Sequence, residues 1–194
     1  MDQLLLNIHP PAEKTLDNFV VGDNQECVEA LNNFINSDNN QFIYLWGESG
    51  SGKSHLSEAL SSQKITIIED VDTFNEELQI ETFYLFNQHK AVGEKMLLTG
   101  SNAPAHMGLR EDLSSRLSWG LVYQLKILTD TEKLLALEHH ANEKGMSLNL
   151  NVLAYCMKHL KRDLPSLIST LDALDEWSLK TKKPITIPLL KQLI

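Results

Sequence analysis

The chain has 194 residues, of which 42% are hydrophobic and 22% charged, and it carries a formal net charge of −9. This length allows one medium domain or two small ones with a real core. No apolar run is long enough to span a membrane, and the acidic balance, without a concentrated run of Lys and Arg, disfavours direct DNA binding.

The first 20 residues and the two cysteines indicate the cellular compartment in which the protein works. The first 20 residues lack the basic start and apolar core of a signal peptide. Cys27 and Cys156 form no metal-binding or redox spacing, and the histidines form no H-x-x-x-H pair. We therefore expect a cytoplasmic protein with reduced thiols and no metal other than nucleotide-bound Mg²⁺.

The first elements lead to a glycine-rich loop. After a short arm, a helix is predicted from Asn24 to Ser37, and the apolar run 41–46 predicts a buried strand. Residues 47–54, GESGSGKS, then fit the G-x-x-x-x-G-K-[ST] pattern, in which backbone N–H groups surround phosphate oxygens and the hydroxyl reaches Mg²⁺. The helical character after Lys53 would place the phosphates at a helix N-terminus. The alternative is a flexible Gly/Ser surface loop.

Three further strands are predicted after the loop. They cover 65–74, 95–102 and 121–127, with a helix from about Glu76 to Gln88. Strands that alternate with helices predict a parallel α/β sheet with ligands at the carboxyl ends of the strands.

Glu69, Asp70 and Asp72 end the apolar strand that follows the loop. P-loop folds hold Mg²⁺ and orient attacking water at this place. Two adjacent carboxylates on a strand point to opposite faces, so only one of Glu69 and Asp70 would reach the metal directly. The alternative is that these acids only solvate the strand end.

The pattern changes at Thr129, where T-D-T-E predicts a capping box at the start of a helix. The remaining chain reads as helices over 130–143, 150–159, 163–180 and 187–194. The predicted organisation is a flexible arm over 1–10, an α/β subdomain over 11–128 and an all-helical lid over 129–194. We expect the nucleotide to lie between the two subdomains.

Five segments resemble the AAA+ domain of the DnaA family, and more closely its short Hda-like regulators. TLDNFVVGDN resembles the adenine-contacting segment, GESGSGKSHL the phosphate loop, LTGSNAP the strand-end sensor, EDLSSRLSWGL the arginine-finger segment and KKPITIPLLKQLI the end of the lid. The implied fold is a P-loop AAA+ parallel sheet, shortened to about four strands, followed by a helical lid. DnaA continues into a DNA-binding helix-turn-helix domain, whereas this sequence ends at Ile194, which favours the regulator.

The resemblance implies ADP or ATP with Mg²⁺ as cofactor. Ser54, Glu69 and Asp70 would hold the metal, and Asp70 and Ser101 would act in hydrolysis. Arg116 would be an arginine finger offered in trans; the alternative is a surface ion pair with Glu111 or Asp112. The residues assigned to the nucleotide are Phe19, Val20, Val21, Gly47, Glu48, Ser49, Gly50, Ser51, Gly52, Lys53, Ser54 and His55.

The arm also resembles a partner-binding peptide. Residues 3–8, QLLLNI, are similar to the Q-L-x-L-P-L peptides that dock on the sliding clamp, with Asn7 where proline is usual. The amide of Gln3 would set the register, and three apolar side chains would fill a pocket: Leu4, Leu6 and Ile8. A disordered start or an edge strand is the alternative. The implied partners are DnaA and the sliding clamp, with a homo-oligomer as a further option and with no direct DNA binding and no membrane.

Three departures from the family pattern bear on catalysis. Glu69 stands where the family has Asp, and Pro165 stands where the second sensor arginine is expected, with Arg162 one turn earlier. Only eleven residues separate Ser54 from Thr66, so the usual second strand and its helix have no room. These departures predict weak intrinsic hydrolysis with nucleotide binding retained.

The predicted function is therefore an Hda-like negative regulator of replication initiation, which provokes hydrolysis of DnaA-bound ATP. Whether the chain is itself an enzyme is left open. The alternatives are an independent AAA+ ATPase or loader, and a non-catalytic AAA+ adaptor.

Overall fold

The computed structural model describes residues 13–146 and 148–193. Their contacts divide into two compact units, Glu13–Ile127 and the residues from Leu128 onward.

The first unit is a parallel sheet covered by helices on both faces. Its strands are β1 (Phe42–Trp46), β2 (Ile65–Ile68), β3 (Lys95–Gly100) and β4 (Leu121–Gln124). Its α-helices are α1 (Gln25–Asn36), α2 (Lys53–Leu60), α3 (Glu76–Val92) and α4 (Glu111–Leu117). Single 3-10 turns are formed by Gly22–Asn24, Val71–Thr73 and Pro104–His106.

The strand order is β2-β3-β1-β4, and every pair is parallel. Trp46 at the end of β1 lies opposite Gly100 of β3 and Gln124 of β4. All four carboxyl ends therefore meet at one edge, where ligands bind in such sheets. The predicted shortened sheet is confirmed. Its two edge strands are β2 and β4.

The apolar residues of β1 alternate between two cores. Ile43 and Leu45 face the cluster formed with α1 and α2, and Phe42 and Tyr44 face the cluster formed with α3 and α4. Because both faces are covered, the strand reads as a continuous apolar run rather than an alternating one. Burying one such aliphatic or aromatic side chain stabilises the folded state by ~1.5–3 kcal/mol. Because β1 contributes buried side chains to both cores, it lies at the centre of the first unit.

β2 is shorter than the sequence predicts. The strand ends at Ile68, and Asp70 adopts a left-handed conformation with φ 51°, after which Val71–Thr73 form a 3-10 turn. The predicted strand over 65–74 is wrong in its second half, since the acidic residues lie in a turn. The expectation that Glu69 and Asp70 point to opposite faces of a strand therefore does not apply.

The second unit is all helical, as predicted. Thr129 and Glu132 form the expected capping box, and Asp163 caps the helix that carries Pro165 in its first turn. A single apolar core holds the helices together, with Leu137, Cys156 and Leu171 at its centre. The helices are α5 (Asp130–Glu143), α6 (Leu150–His159), α7 (Leu164–Thr181) and α8 (Ile187–Leu193). Among the described helices, none combines the length and apolarity needed to cross a membrane.

Candidate nucleotide-binding site

The loop between β1 and α2 presents unpaired donors. The N–H groups of Ser49, Gly50 and Gly52 have no acceptor among the described residues. The Oγ atom of Ser51 is buried and has no hydrogen-bond partner there either. Buried polar groups are nearly always paired in native proteins, because leaving one unpaired costs about 1–3 kcal/mol. The loop therefore fits a ligand that brings several acceptor oxygens, as a phosphate chain does.

Lys53 adds a buried positive charge to this loop. The residue is 9% exposed, and its Nζ donates to the carbonyl oxygens of Gly47 at 2.6 Å and Glu48 at 3.1 Å. Both acceptors are neutral, and within the described part of the chain Lys53 forms no ion pair. A buried ammonium group without an opposite charge is unfavourable, so a phosphate would supply what the loop lacks.

Two glycines allow the loop to lie close to its neighbours. A Cβ atom on Gly52, where φ is +100°, would lie 2.6 Å from Cε2 of Phe19. A Cβ atom on Gly47 would lie 2.4 Å from the carbonyl oxygen of Leu125. Both distances are far below van der Waals contact, so the pattern requires glycine at these positions for packing as well as for conformation.

The segment predicted to contact adenine lies against the phosphate loop. Phe19 is 8% exposed and meets the ring of His55 edge-on, with centroids 5.3 Å apart, while Val20 and Val21 are half-buried. The Nε2 atom of His55 donates to the carbonyl oxygen of Thr15 at 2.9 Å. Burial lowers the pKa of His55, against the opposing effect of this hydrogen bond. The start of α2 is thus joined to residues that precede α1.

The acidic turn after β2 is tied to the end of β3. Glu69 and Asp70 are exposed; the N–H of Asp70 donates to Oγ1 of Thr99 at 3.2 Å, and Oδ1 of Asp72 accepts from the N–H of Ser101 at 3.1 Å. No group of three His, Cys, Asp or Glu side chains in the described ranges could hold a metal alone. Mg²⁺ in phosphate-binding sites needs only one or two carboxylates beside the phosphate oxygens. The assignment of Ser54, Glu69 and Asp70 as Mg²⁺ ligands therefore stays a prediction.

Tyr44 supports the predicted sensor loop from within the core. Its hydroxyl group donates to the carbonyl oxygen of Asn102 at 2.8 Å, next to the exposed Ser101. Burial, and then the charges of Asp72 and Asp70, raise the pKa of Tyr44, so the hydroxyl stays a neutral donor. Sequence reasoning missed this residue; the available signal was a single hydroxyl in an otherwise apolar strand.

Arg116, in the last turn of α4, has no carboxylate partner among the described residues. Its Cζ atom lies 5.6 Å from the ring centroid of Phe83, and its Nε atom is buried without a hydrogen-bond partner. The alternative ion pair with Glu111 or Asp112 does not occur in the described residues, because Asp112 pairs with Arg110 at 3.0 Å. The guanidinium is therefore held by an aromatic face, and its positive charge is not neutralised.

Two other sequence predictions concern the lid and the arm. Arg162, the substitute for the missing sensor arginine, pairs with Asp130 at 3.3 Å within the helical unit. The predicted clamp-binding residues lie outside the described residues: Gln3, Leu4, Leu6 and Ile8.

Comparison with known proteins finds relatives over the whole chain. Residues 130–194 match the family model described as "Hda, lid domain". An uncharacterized protein of Haemophilus influenzae is 30% identical over 99% of this chain and 98% of its own length. That alignment spans 226 positions, more than the 194 residues present here, so the relative has residues without a counterpart in this chain.

Solved structures share the fold. Domain III of the Thermotoga maritima replication initiation protein DnaA superposes with a TM-score of 0.76 at 18% identity, over 96% of this chain and 98% of that one. AMPPCP-bound DnaA from Aquifex aeolicus gives 0.69 at 19% identity, over 91% and 71% of the two chains. The Thermotoga maritima RuvB branch migration motor gives 0.64 at 14% identity, over 92% and 70%. The shared architecture is that of an AAA+ core followed by a helical lid.

Proposed function

Since this chain belongs to the Hda-like group of DnaA-related AAA+ proteins, we propose that it is a negative regulator of replication initiation. It stimulates hydrolysis of the ATP that DnaA holds, and thereby converts the initiator to its inactive form. The observation that carries this proposal is the state of Arg116, whose guanidinium has no carboxylate partner among the described residues.

Arg116 acts on the nucleotide of the partner. An arginine finger stabilises negative charge on the phosphoryl group during transfer and can accelerate hydrolysis by roughly 10³ to 10⁵. A finger that was already paired with an internal carboxylate would have to break that pair before it reached a phosphate. Within the part of the chain that the structure describes, Arg116 has no such pair to break, and the ring of Phe83 limits the directions that its side chain can take.

The chain holds its own nucleotide as a cofactor. The unpaired N–H groups of the loop, the buried Ser51 hydroxyl and the Lys53 ammonium would bind the phosphates of ADP or ATP, with Mg²⁺ on Ser54 and an acidic side chain. Bound nucleotide would supply the phosphate oxygens that these donors lack. Phe19 and the two valines that follow it would lie on the adenine side.

Intrinsic hydrolysis is expected to be weak. Glu69 places its carboxylate one methylene further from the backbone than aspartate would, and Arg162 is paired with Asp130. The acidic turn then keeps Asp70 but lacks the usual aspartate before it, and the lid arginine is held within its own unit, so the geometry for hydrolysis is expected to be poor. The same observation favours a second candidate, a non-catalytic adaptor that binds nucleotide and partners without stimulating any ATPase.

The arm would place the protein at the sliding clamp. The clamp on DNA would be bound by Gln3, Leu4, Leu6 and Ile8, so that regulation follows clamp loading. This tether would raise the local concentration of Arg116 near clamp-associated initiator.

The decisive experiment measures ATP turnover by DnaA in the presence of clamp-loaded DNA, with and without this protein. We expect stimulation by the wild type and loss of most of it with Arg116→Ala. Arg110→Ala is the matched control, because Arg110 precedes the same helix but is paired with Asp112 and Glu76. Equal stimulation by Arg116→Ala would reject the finger, and no stimulation by the wild type would favour the adaptor.

Two further variants test the clamp-binding arm and the nucleotide site separately. Gln3→Ala is expected to weaken binding to the clamp. With DnaA in excess, the same variant should still stimulate ATP hydrolysis, because Arg116 is unchanged. Lys53→Ala is expected to abolish the thermal stabilisation that ADP gives the wild type, since a ligand that binds only the folded state stabilises by mass action.

A further inference from the structure

Asn24 joins the segment before α1 to the residues after β4. Its Oδ1 atom accepts from the N–H of Lys126 at 2.7 Å, and its Nδ2 atom donates to the carbonyl oxygen of the same residue at 3.0 Å. The two residues lie 102 positions apart, and Asn24 is 3% exposed. A side-chain amide offers both a donor and an acceptor, so it pairs with the backbone of Lys126 as a neighbouring strand would.

Asn24 makes this connection instead of capping its own helix. It occupies the N-cap position of α1, where asparagine usually accepts a hydrogen bond from a backbone N–H of the first turn. Within the described residues its side chain accepts no such bond, and both of its polar ends bind Lys126. Since a cap stabilises a helix by about 0.5–2 kcal/mol, this arrangement gives up local stability for a long-range contact.

Lys126 follows a residue that packs against the phosphate loop. The N–H of Leu125 donates to the carbonyl oxygen of Trp46 at 2.7 Å, so Leu125 continues the pairing of β4 with β1. The carbonyl oxygen of Leu125 lies so close to Gly47 that a Cβ atom there would be 2.4 Å away. Asn24 is thus attached, through these backbone contacts, to the start of the phosphate loop.

The segment from Phe19 to Asn24 is therefore fixed at both ends. Phe19 packs on Gly52, at the other end of the phosphate loop. The N–H of Asn24 donates to the carbonyl oxygen of Val21 at 2.9 Å, which closes the turn before α1. Val20 and Val21, the half-buried residues predicted to contact adenine, lie between the two attachments. Their position relative to the phosphate loop thus depends on Phe19 and Asn24.

We propose that Asn24 is a positioning residue of the nucleotide site, which sets the register between the adenine-contacting segment and the phosphate loop. This role rests on the proposal that the chain holds ADP or ATP. The N–H groups of the loop and Lys53 would bind the phosphates without Asn24. Groups that are already in place give a ligand more affinity, because binding then costs less ordering. Loss of the Asn24 hydrogen bonds would therefore weaken the contribution of adenosine and spare that of the phosphates.

Calorimetric titrations of the full chain with ADP and with inorganic pyrophosphate test this separation. ADP reports on both parts of the site, and pyrophosphate reports on the phosphate loop alone. Asn24→Ala removes both hydrogen bonds, and it is expected to weaken ADP binding by about tenfold and pyrophosphate binding by less than about twofold. Asn24→Asp keeps the shape but not the donor, and a carboxylate oxygen cannot pair with the Lys126 carbonyl oxygen, so a similar pattern is expected.

Asp23→Ala is the matched control. Asp23 lies in the same turn and pairs with Nζ of the same Lys126 at 3.9 Å, but both side chains are exposed. We expect wild-type affinities, since exposed ion pairs contribute little. Equal losses for ADP and pyrophosphate in Asn24→Ala would make its role purely structural, and an unchanged ADP affinity would also overturn the proposal. A wild type that binds neither ligand would reject the nucleotide site itself, and the role of Asn24 with it.

Amide hydrogen exchange in the wild type tests the same role without a substitution. Saturating ADP is expected to slow exchange of the Lys126 N–H, which donates to Asn24, by about tenfold more than saturating pyrophosphate does. Thermal unfolding curves show which variants are folded at the temperature of the titrations. Equal protection of this amide by the two ligands would show that Asn24 does not respond to the adenine side, and the proposal would fail.

Discussion

The guanidinium group of Arg116 lies over the aromatic ring of Phe83, with Cζ 5.6 Å from the ring centroid. Such a contact stabilises a cation by ~0.5–1 kcal/mol at an exposed site, and more when water is excluded. An aromatic ring restrains the arginine without neutralising it. The proposed finger is thus oriented in advance and keeps its full charge for a phosphate.

Replacing Phe83 should therefore impair regulation through Arg116. We expect Phe83→Leu to reduce the stimulated ATP hydrolysis of DnaA by a few-fold to about tenfold, as the loss of ~1 kcal/mol of orientation predicts. Phe83→Tyr, which keeps the ring, should retain stimulation. The measurement is DnaA turnover at saturating regulator, with thermal unfolding curves for each variant. Wild-type stimulation by Phe83→Leu would contradict the positioning role.

Gly52 should be much harder to replace than Gly50 in the phosphate loop. Gly52→Ala places a methyl group 2.6 Å from Phe19 and adds a left-handed backbone strain, so ADP affinity should fall by more than tenfold. Gly50→Ala is the matched control, because Gly50 has a φ of +85° but nothing within 4 Å of the added Cβ. Isothermal titration with ADP gives both affinities, and equal losses would show that packing against Phe19 does not matter.

His55 should make the protein less stable in mild acid. Burial lowers its pKa below the ordinary value of 6.5, so the unfolded chain takes up a proton more readily than the folded one. Its contribution is complete above pH 6.5 and is lost as the pH falls from there toward the folded pKa. His55→Gln, which can still donate to Thr15, should flatten this decline. Urea unfolding between pH 7.5 and 5.5 tests this, and parallel curves would refute it.

Tyr44 should stabilise the fold through its hydroxyl group. Tyr44→Phe removes the donor to the Asn102 carbonyl and should lower the free energy of unfolding by about 1 kcal/mol. Tyr84→Phe, at a position that is 67% exposed, should change it little. Chemical denaturation of both variants provides the comparison. A Tyr44→Phe variant as stable as the wild type would mean that water replaces the lost bond.

The elements and the phosphate loop could be predicted because their signals are local. The capping box at Thr129 and the spacing from Gly47 to Ser54 lie within a few residues, and the helices over 130–143 and 150–159 begin and end where predicted. The missing strand could also be predicted, because eleven residues cannot form both α2 and a covering strand. Local patterns of this kind specify backbone conformation before any tertiary contact forms.

Only the tertiary structure decided how the site residues are supported. Phe83 lies 33 positions before Arg116 along the chain, and Tyr44 reaches Asn102 across 58 positions, as the sequence numbering shows. The turn that ends β2 at Ile68 likewise depends on Thr99 of the neighbouring strand. No spacing rule joins residues that far apart, since their contact follows from which strands pair and which helix covers them. The sequence by itself determined the elements and the chemistry of the loop, whereas packing determined which side chains orient that chemistry.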